Sequence, residues 1–179
     1  MESVHEETNA EGFTLRIVPD ESPTEPPFDG DGGVKIAILH REFGNPAKAD
    51  GLDSVEAIRE LEQANEGDNG EWAVFPLFMY QHSGVALSTG RAYPFDCPWD
   101  SGRVGIVALK RSEWTGDKPL SHEAEQVAKH YGQWMNGEVF GWVVGDETDD
   151  HLESCWGYIG DSDGYVLEEG RRMLAYVTA

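Results

Sequence analysis

The alternation of apolar and polar positions divides the chain into many short extended segments and three helical ones. Residues 13–18 (FTLRIV) alternate well enough for a short strand. Residues 34–40 (VKIAILH) are largely branched and apolar and follow glycine, as a core strand requires. Residues 71–81 (EWAVFPLFMYQ) are aromatic and apolar with Pro76 inside. Proline cannot donate to a ladder, so this strand is expected to be bulged or at a sheet edge there. Residues 85–88, 104–110, 138–145 and 155–159 complete the extended set.

The helical period occurs three times. At Asp53 the run D-S-V-E supplies an N-cap with a glutamate three residues on, and Val55, Ile58 and Leu61 share one face up to about Asn65. From Ser121, positions Ala124, Val127, Ala128, Tyr131, Trp134 and Met135 recur at helical spacing until Asn136 and Gly137 stop the run. The third helix is expected over residues 164–177, with Val166, Gly170, Met173 and Leu174 as its stripe. The order β-β-α-β-β-β-α-β-β-α predicts an α+β fold, a largely antiparallel or mixed sheet with about three helices packed on it.

Composition changes the picture at the N-terminus. Residues 1–33 hold nine acids and one base, with PDESPTEPP and DGDGG, and read as an acidic, Pro- and Gly-rich extension tied down at most by the strand at 13–18. Residues 34–179 are expected to form a single α+β domain. No apolar run approaches the roughly 20 residues that cross a bilayer, so no membrane association is expected. The opening MESVHEETNAEG carries acids where a secretory signal carries bases, which predicts a cytoplasmic location.

Charge narrows the function classes. Thirty-four acids against 13 lysines and arginines give a formal net charge of -21. A field of that sign repels nucleic acid and anionic lipid, so direct nucleic-acid binding is disfavoured. Two explanations remain open. The acids suit a cell of high internal salt, where the Debye length is about 3 Å at 1 M. Alternatively they imitate a nucleic-acid backbone and occupy a basic groove on a partner protein. The candidate binding acids are Asp146, Glu147, Asp149, Asp150 and Glu153, in an eight-residue turn with no lysine or arginine.

The candidate chemistry is sparse. His82, Ser83 and Ser88 precede Asp96, Cys97, Asp100 and Ser101 by a short connection, and a small hydrolytic site could use Cys97 as nucleophile, His82 as base and Asp100 to orient it. The competing reading makes the Asp and Ser turn formers and Cys97 a packed thiol, since no G-x-S-x-G elbow is present. Cys97, Cys155, His82 and His151 are the right types for tetrahedral zinc but lack close-pair spacing, and the acids of 146–153 lack the EF-hand pattern. No phosphate-binding glycine loop occurs, so no cofactor and no metal are assigned. Both cysteines are expected to be buried and reduced. Trp99, Trp142 and Trp156 are read mainly as core, and Trp99 is the candidate exposed anchor for a protein partner.

The segments HSG, STG, CPWDSG, YGQWMNGEVFGWV and SCWGYIG, in that order across residues 75–174, resemble a family of small proteins encoded by phages and other mobile elements. In size and charge the chain is also similar to acidic antirestriction proteins that imitate DNA. The resemblance carries no catalytic residues. It implies a mobile-element origin and favours interference with host defence; taken with the acidic charge and the lack of a catalytic pattern, the expected function is a non-enzymatic inhibitor whose partner is a host defence protein with a basic nucleic-acid-binding groove. The alternatives are the hydrolase built on His82, Cys97 and Asp100, and an acidic accessory protein adapted to high salt.

Overall fold

The computed structural model describes residues 2–22, 26–28, 32–90, 101–146, 148 and 150–177. The fold is α+β, with two four-stranded antiparallel sheets and three α-helices among the described residues. The chain divides into two compact units, residues 1–25 with 133–179, and residues 26–132. The boundary differs from the expected one at residue 33: residues 1–25 belong to the first unit, to which His5–Thr8 and Thr14–Pro19 contribute two strands.

The first unit is built from strands β1 (His5–Thr8), β2 (Thr14–Pro19), β7 (Val139–Gly145) and β8 (His151–Ile159), hydrogen-bonded in that spatial order, with helix α3 (Tyr165–Val177) packed on β2 and β7. Leu15 pairs with Val144 and Ile17 with Trp142, so these four side chains share a face. They pack with Val166, Leu167 and Leu174 of α3 into one core. Gly170 lets the helix close on that sheet, since a Cβ there would press on Leu15 and approach Trp142. Asp161 Oδ2 accepts from Tyr165 N at 2.8 Å at the start of α3.

The second unit contains β3 (Val34–Ile38), α1 (Val55–Ala64), β4 (Trp72–Gln81), β5 (Val85–Ser88), β6 (Ser101–Lys110) and most of α2 (Leu120–Met135). Its sheet order is β3-β6-β4-β5. Ile58 packs with Ala37, Trp72, Ile106 and Ala108 on one face of the sheet. The intervening Val107 and Leu109 are also fully buried, so β6 is apolar on both sides and reads as a continuous run rather than an alternation. The pairing of β4 with β6 is irregular between Leu77 and Phe78, and β5 meets β4 only from Phe78 onward. Pro76 therefore sits where its missing N–H costs no ladder bond to β5, beside a bulge, as its position demanded.

Polar side chains organise the connections. Asn45 Oδ1 accepts from Ile38 N and Ala47 N, and its Nδ2 donates to Leu52 O at 2.8 Å, which folds residues 39–52 back on the end of β3. Ser54, one residue later than the expected Asp53, caps α1 by accepting from Ala57 N at 3.2 Å. Asn65 ends α1, bonding back to Leu61 O and accepting from Trp72 N as β4 begins. Among the described residues no helix is long and apolar enough to cross a membrane.

Candidate acidic binding surfaces

The turn between β7 and β8 is a structured hairpin end. Asp146 N donates to Asp150 O at 2.9 Å. The Asp146 carboxylate in turn accepts from Thr148 Oγ1 at 2.7 Å, Thr148 N at 2.8 Å and Asp150 N at 3.0 Å. These hydrogen bonds, the Thr148 hydroxyl foremost, hold its carboxyl below the usual range. Asp146 thus keeps its charge but commits one oxygen to the turn, so it is a scaffold for the tip. Asp150 and Glu153 are exposed. Glu147 and Asp149 lie outside the described residues.

A larger acidic surface lies on the second unit, in residues the turn-centred reading passed over. Between positions 53 and 71 there are seven acids and one base, Arg59. Asp53, Glu56, Glu60, Glu66, Asp68 and Glu71 are exposed. Glu56 and Glu60 are four apart on α1, so their Cβ atoms stand about 6 Å from each other on one side of the helix, with Asp53 one turn before. Glu62 is taken up by Arg103, and Glu71 lies 3.9 Å from Lys110. The excess is countable in the sequence, but Glu56 and Glu60 fall on the side of the helix opposite Ile58 and Leu61, which the apolar periodicity does not mark.

The hydrolytic constellation is only partly described. His82 is exposed in the β4–β5 turn, its backbone N bonded to Gly84 O at 3.2 Å and its ring tilted against Tyr80 at 6.4 Å. Asp96, Cys97, Trp99 and Asp100 lie outside the described residues. Ser88 has a different task from the one its motif suggested. Its hydroxyl donates to the Glu125 carboxylate at 2.9 Å, and Thr89 gives the same carboxylate both its N–H and its hydroxyl. The segment S-T-G therefore clips the end of β5 to helix α2.

Cys155 and Trp156 correct a second expectation, that the thiol is buried and the indole is core. Both are exposed on β8, because that strand is the outer edge of its sheet and has a neighbour only in β7. Trp142, opposite Cys155 on the inner strand, is buried. Its Nε1 donates to Tyr158 Oη at 3.1 Å. Burial, and then the neighbouring Cys155 thiol, push the Tyr158 phenol up. His151 is exposed on the same strand, and among the described residues no three His, Cys, Asp or Glu side chains gather as a metal site.

No family model, curated protein or solved structure matches the chain.

Proposed function

We propose that this protein is a non-catalytic inhibitor that occupies the basic nucleic-acid groove of a host defence enzyme, its carboxylates standing where phosphates would lie, in keeping with a phage or mobile-element origin. The observation that supports this reading most is the pair of exposed acids Glu56 and Glu60 on helix α1, with exposed Asp53 just before its N-cap. A rigid helix holds charges at fixed spacing, so the entropy of arranging them is spent on folding rather than on binding. The hairpin acids Asp150 and Glu153, held by the Asp146 turn, form a lesser contact. Electrostatic contacts of this kind give fast association and steep salt dependence.

The test is competitive capture from extract of the natural host. The immobilised parent chain is expected to retain a nucleic-acid-handling protein and to release it when duplex DNA or raised salt is added. The triple variant D53N/E56Q/E60Q is expected to lose most of that retention with its thermal melt unchanged, since exposed substitutions usually alter stability by less than about 0.5 kcal/mol. Retention that neither DNA nor the triple variant disturbs would overturn the proposal.

A further inference from the structure

On the first unit, a groove of about 750 Å³ is lined by Glu2, Ser3, Val4, Pro19, Asp20, Glu21, Ser22 and Trp156. Trp156 reaches it across the sheet because its partner on β7 is Gly141. A Cβ at Gly141 would collide with the indole, so the ring takes the space that a side chain would otherwise fill. The far wall is set by the backbone: Val4 N donates to Ile17 O at 2.9 Å, and Asp20 N donates to Val139 O at 2.8 Å, which prolongs the β2–β7 pairing past Pro19. Trp156 remains 42% exposed and Val4 54%, an apolar floor that the unit itself leaves uncovered.

The rim is anionic throughout. Glu2, Asp20 and Glu21 carry three carboxylates, and none is paired with a cation among the described residues, while Arg16 on the same sheet is bound to Glu6 at 2.7 Å. Asp20 Oδ1 accepts from Ser22 N at 3.0 Å, but no cation neutralises these carboxylates among the described residues, and an indole face beside them is complementary to a planar cation. A guanidinium stacks on the ring while its N–H groups meet carboxylate oxygens, which an ammonium does less well because it is a compact, strongly hydrated point charge. We infer that this groove binds an arginine side chain presented by a basic segment of a partner protein, with Trp156 as the stacking surface and Asp20 and Glu21 as acceptors. The site is built from other residues than the acids of α1 and does not rest on the reading of them.

Titration of the full chain with an arginine-bearing hexapeptide, followed through the indole N–H signals in NMR, tests the inference. Six tryptophans give six signals, and that of Trp156 is identified by its loss in W156F. The expected result is saturable movement of the Trp156 signal, at least tenfold weaker binding by D20N/E21Q and by W156A, and weaker binding of the lysine counterpart. D53N/E56Q/E60Q is expected to bind the peptide as the parent does. The double variant leaves the indole in place, so a folding defect in W156A would not decide the matter. An unmoved Trp156 signal, equal binding of the lysine peptide, or undiminished affinity in D20N/E21Q would each overturn the assignment.

Discussion

Glu7 and Arg171, 164 residues apart in the chain, are joined by a two-pronged ion pair: Arg171 Nη2 donates to Glu7 Oε2 at 2.7 Å and Nε donates to Oε1 at 2.9 Å. The pair fastens β1 to α3 within the first unit. Arg171, with a lesser contribution from His5, lowers the Glu7 carboxyl from 4.5 to about 2. A depressed carboxylate contributes stability that is complete above its unfolded pKa and is lost as pH falls through the folded one. Arg171 is half exposed, so solvent screening keeps the contribution to about 1 kcal/mol or less. Glu7→Gln is therefore expected to melt a few degrees below the parent at neutral pH. That difference should narrow between about pH 4.5 and pH 2 and vanish below. A difference independent of pH across that window would show that the ion pair is not its source.

The clasp at the end of β5 gives a second expectation. Removing the Glu125 carboxylate strands the N–H and hydroxyl of Thr89, which is buried, and an unpaired buried donor costs about 1–3 kcal/mol. Glu125→Ala should lower the melting temperature by several degrees, and Glu125→Gln by less, because its amide oxygen still accepts. Urea unfolding of the two variants beside the parent measures this. Equal stability of all three would mean that water replaces the carboxylate at no cost.

Two glycines on β6 should respond unequally to the same substitution. A Cβ on Gly105 would run into the backbone carbonyl of Ala37 on β3, whereas nothing lies within 4 Å of one on Gly102. Backbone cannot swing aside as a side chain can. Gly105→Ala is expected to destabilise by about 1–3 kcal/mol, and Gly102→Ala by no more than about 0.5 kcal/mol. Thermal melts of both variants decide it, and equal melts would remove the close β3–β6 approach as a constraint.

The exposed thiol offers a chemical check. Cys155 should react with a thiol reagent in native buffer without denaturant, and Cys155→Ser should remove one rapidly labelled equivalent. Because Tyr158 lies beside the thiol, the phenol's ultraviolet titration should move toward lower pH in the serine variant, as one of the influences raising its pKa is withdrawn. Labelling of Cys155 only after unfolding would place it inside the unit.

What the sequence revealed and what it hid follow from the range over which each signal acts. Helices α1, α2 and α3 and most strands were legible, because periodicity and caps are local. So was the bulge beside Pro76. The strand His5–Thr8 was missed, since HEET has no apolar alternation and is held by pairing with β2 and by the Arg171 ion pair. Cys155 and Trp156 were misplaced for a related reason. An apolar segment reads the same whether its strand is internal or outermost, and only the sheet order puts β8 at the edge. The acidic tip was legible as charge, but the commitment of the Asp146 carboxylate to the turn depends on geometry that composition does not carry.

The interruption of the first unit by residues 26–132 fixes an order of events at the ribosome. All strands and helix α1 of the second unit are synthesised before β7 exists, and its pairings can form from one unbroken stretch of chain. Strands β1 and β2 emerge first yet have no β7 to join until more than a hundred further residues have followed them. Through that interval the buried face of β2, Leu15 and Ile17, stands open to water and to other chains. The acids that flank it, Glu2, Glu6, Glu7, Glu11, Asp20 and Glu21, surround that face with charge of one sign, the placement that gatekeeper residues take beside an apolar strand. Part of the negative charge around β1 and β2 thus sits where like-charge repulsion opposes contact between nascent chains, a placement independent of any binding partner.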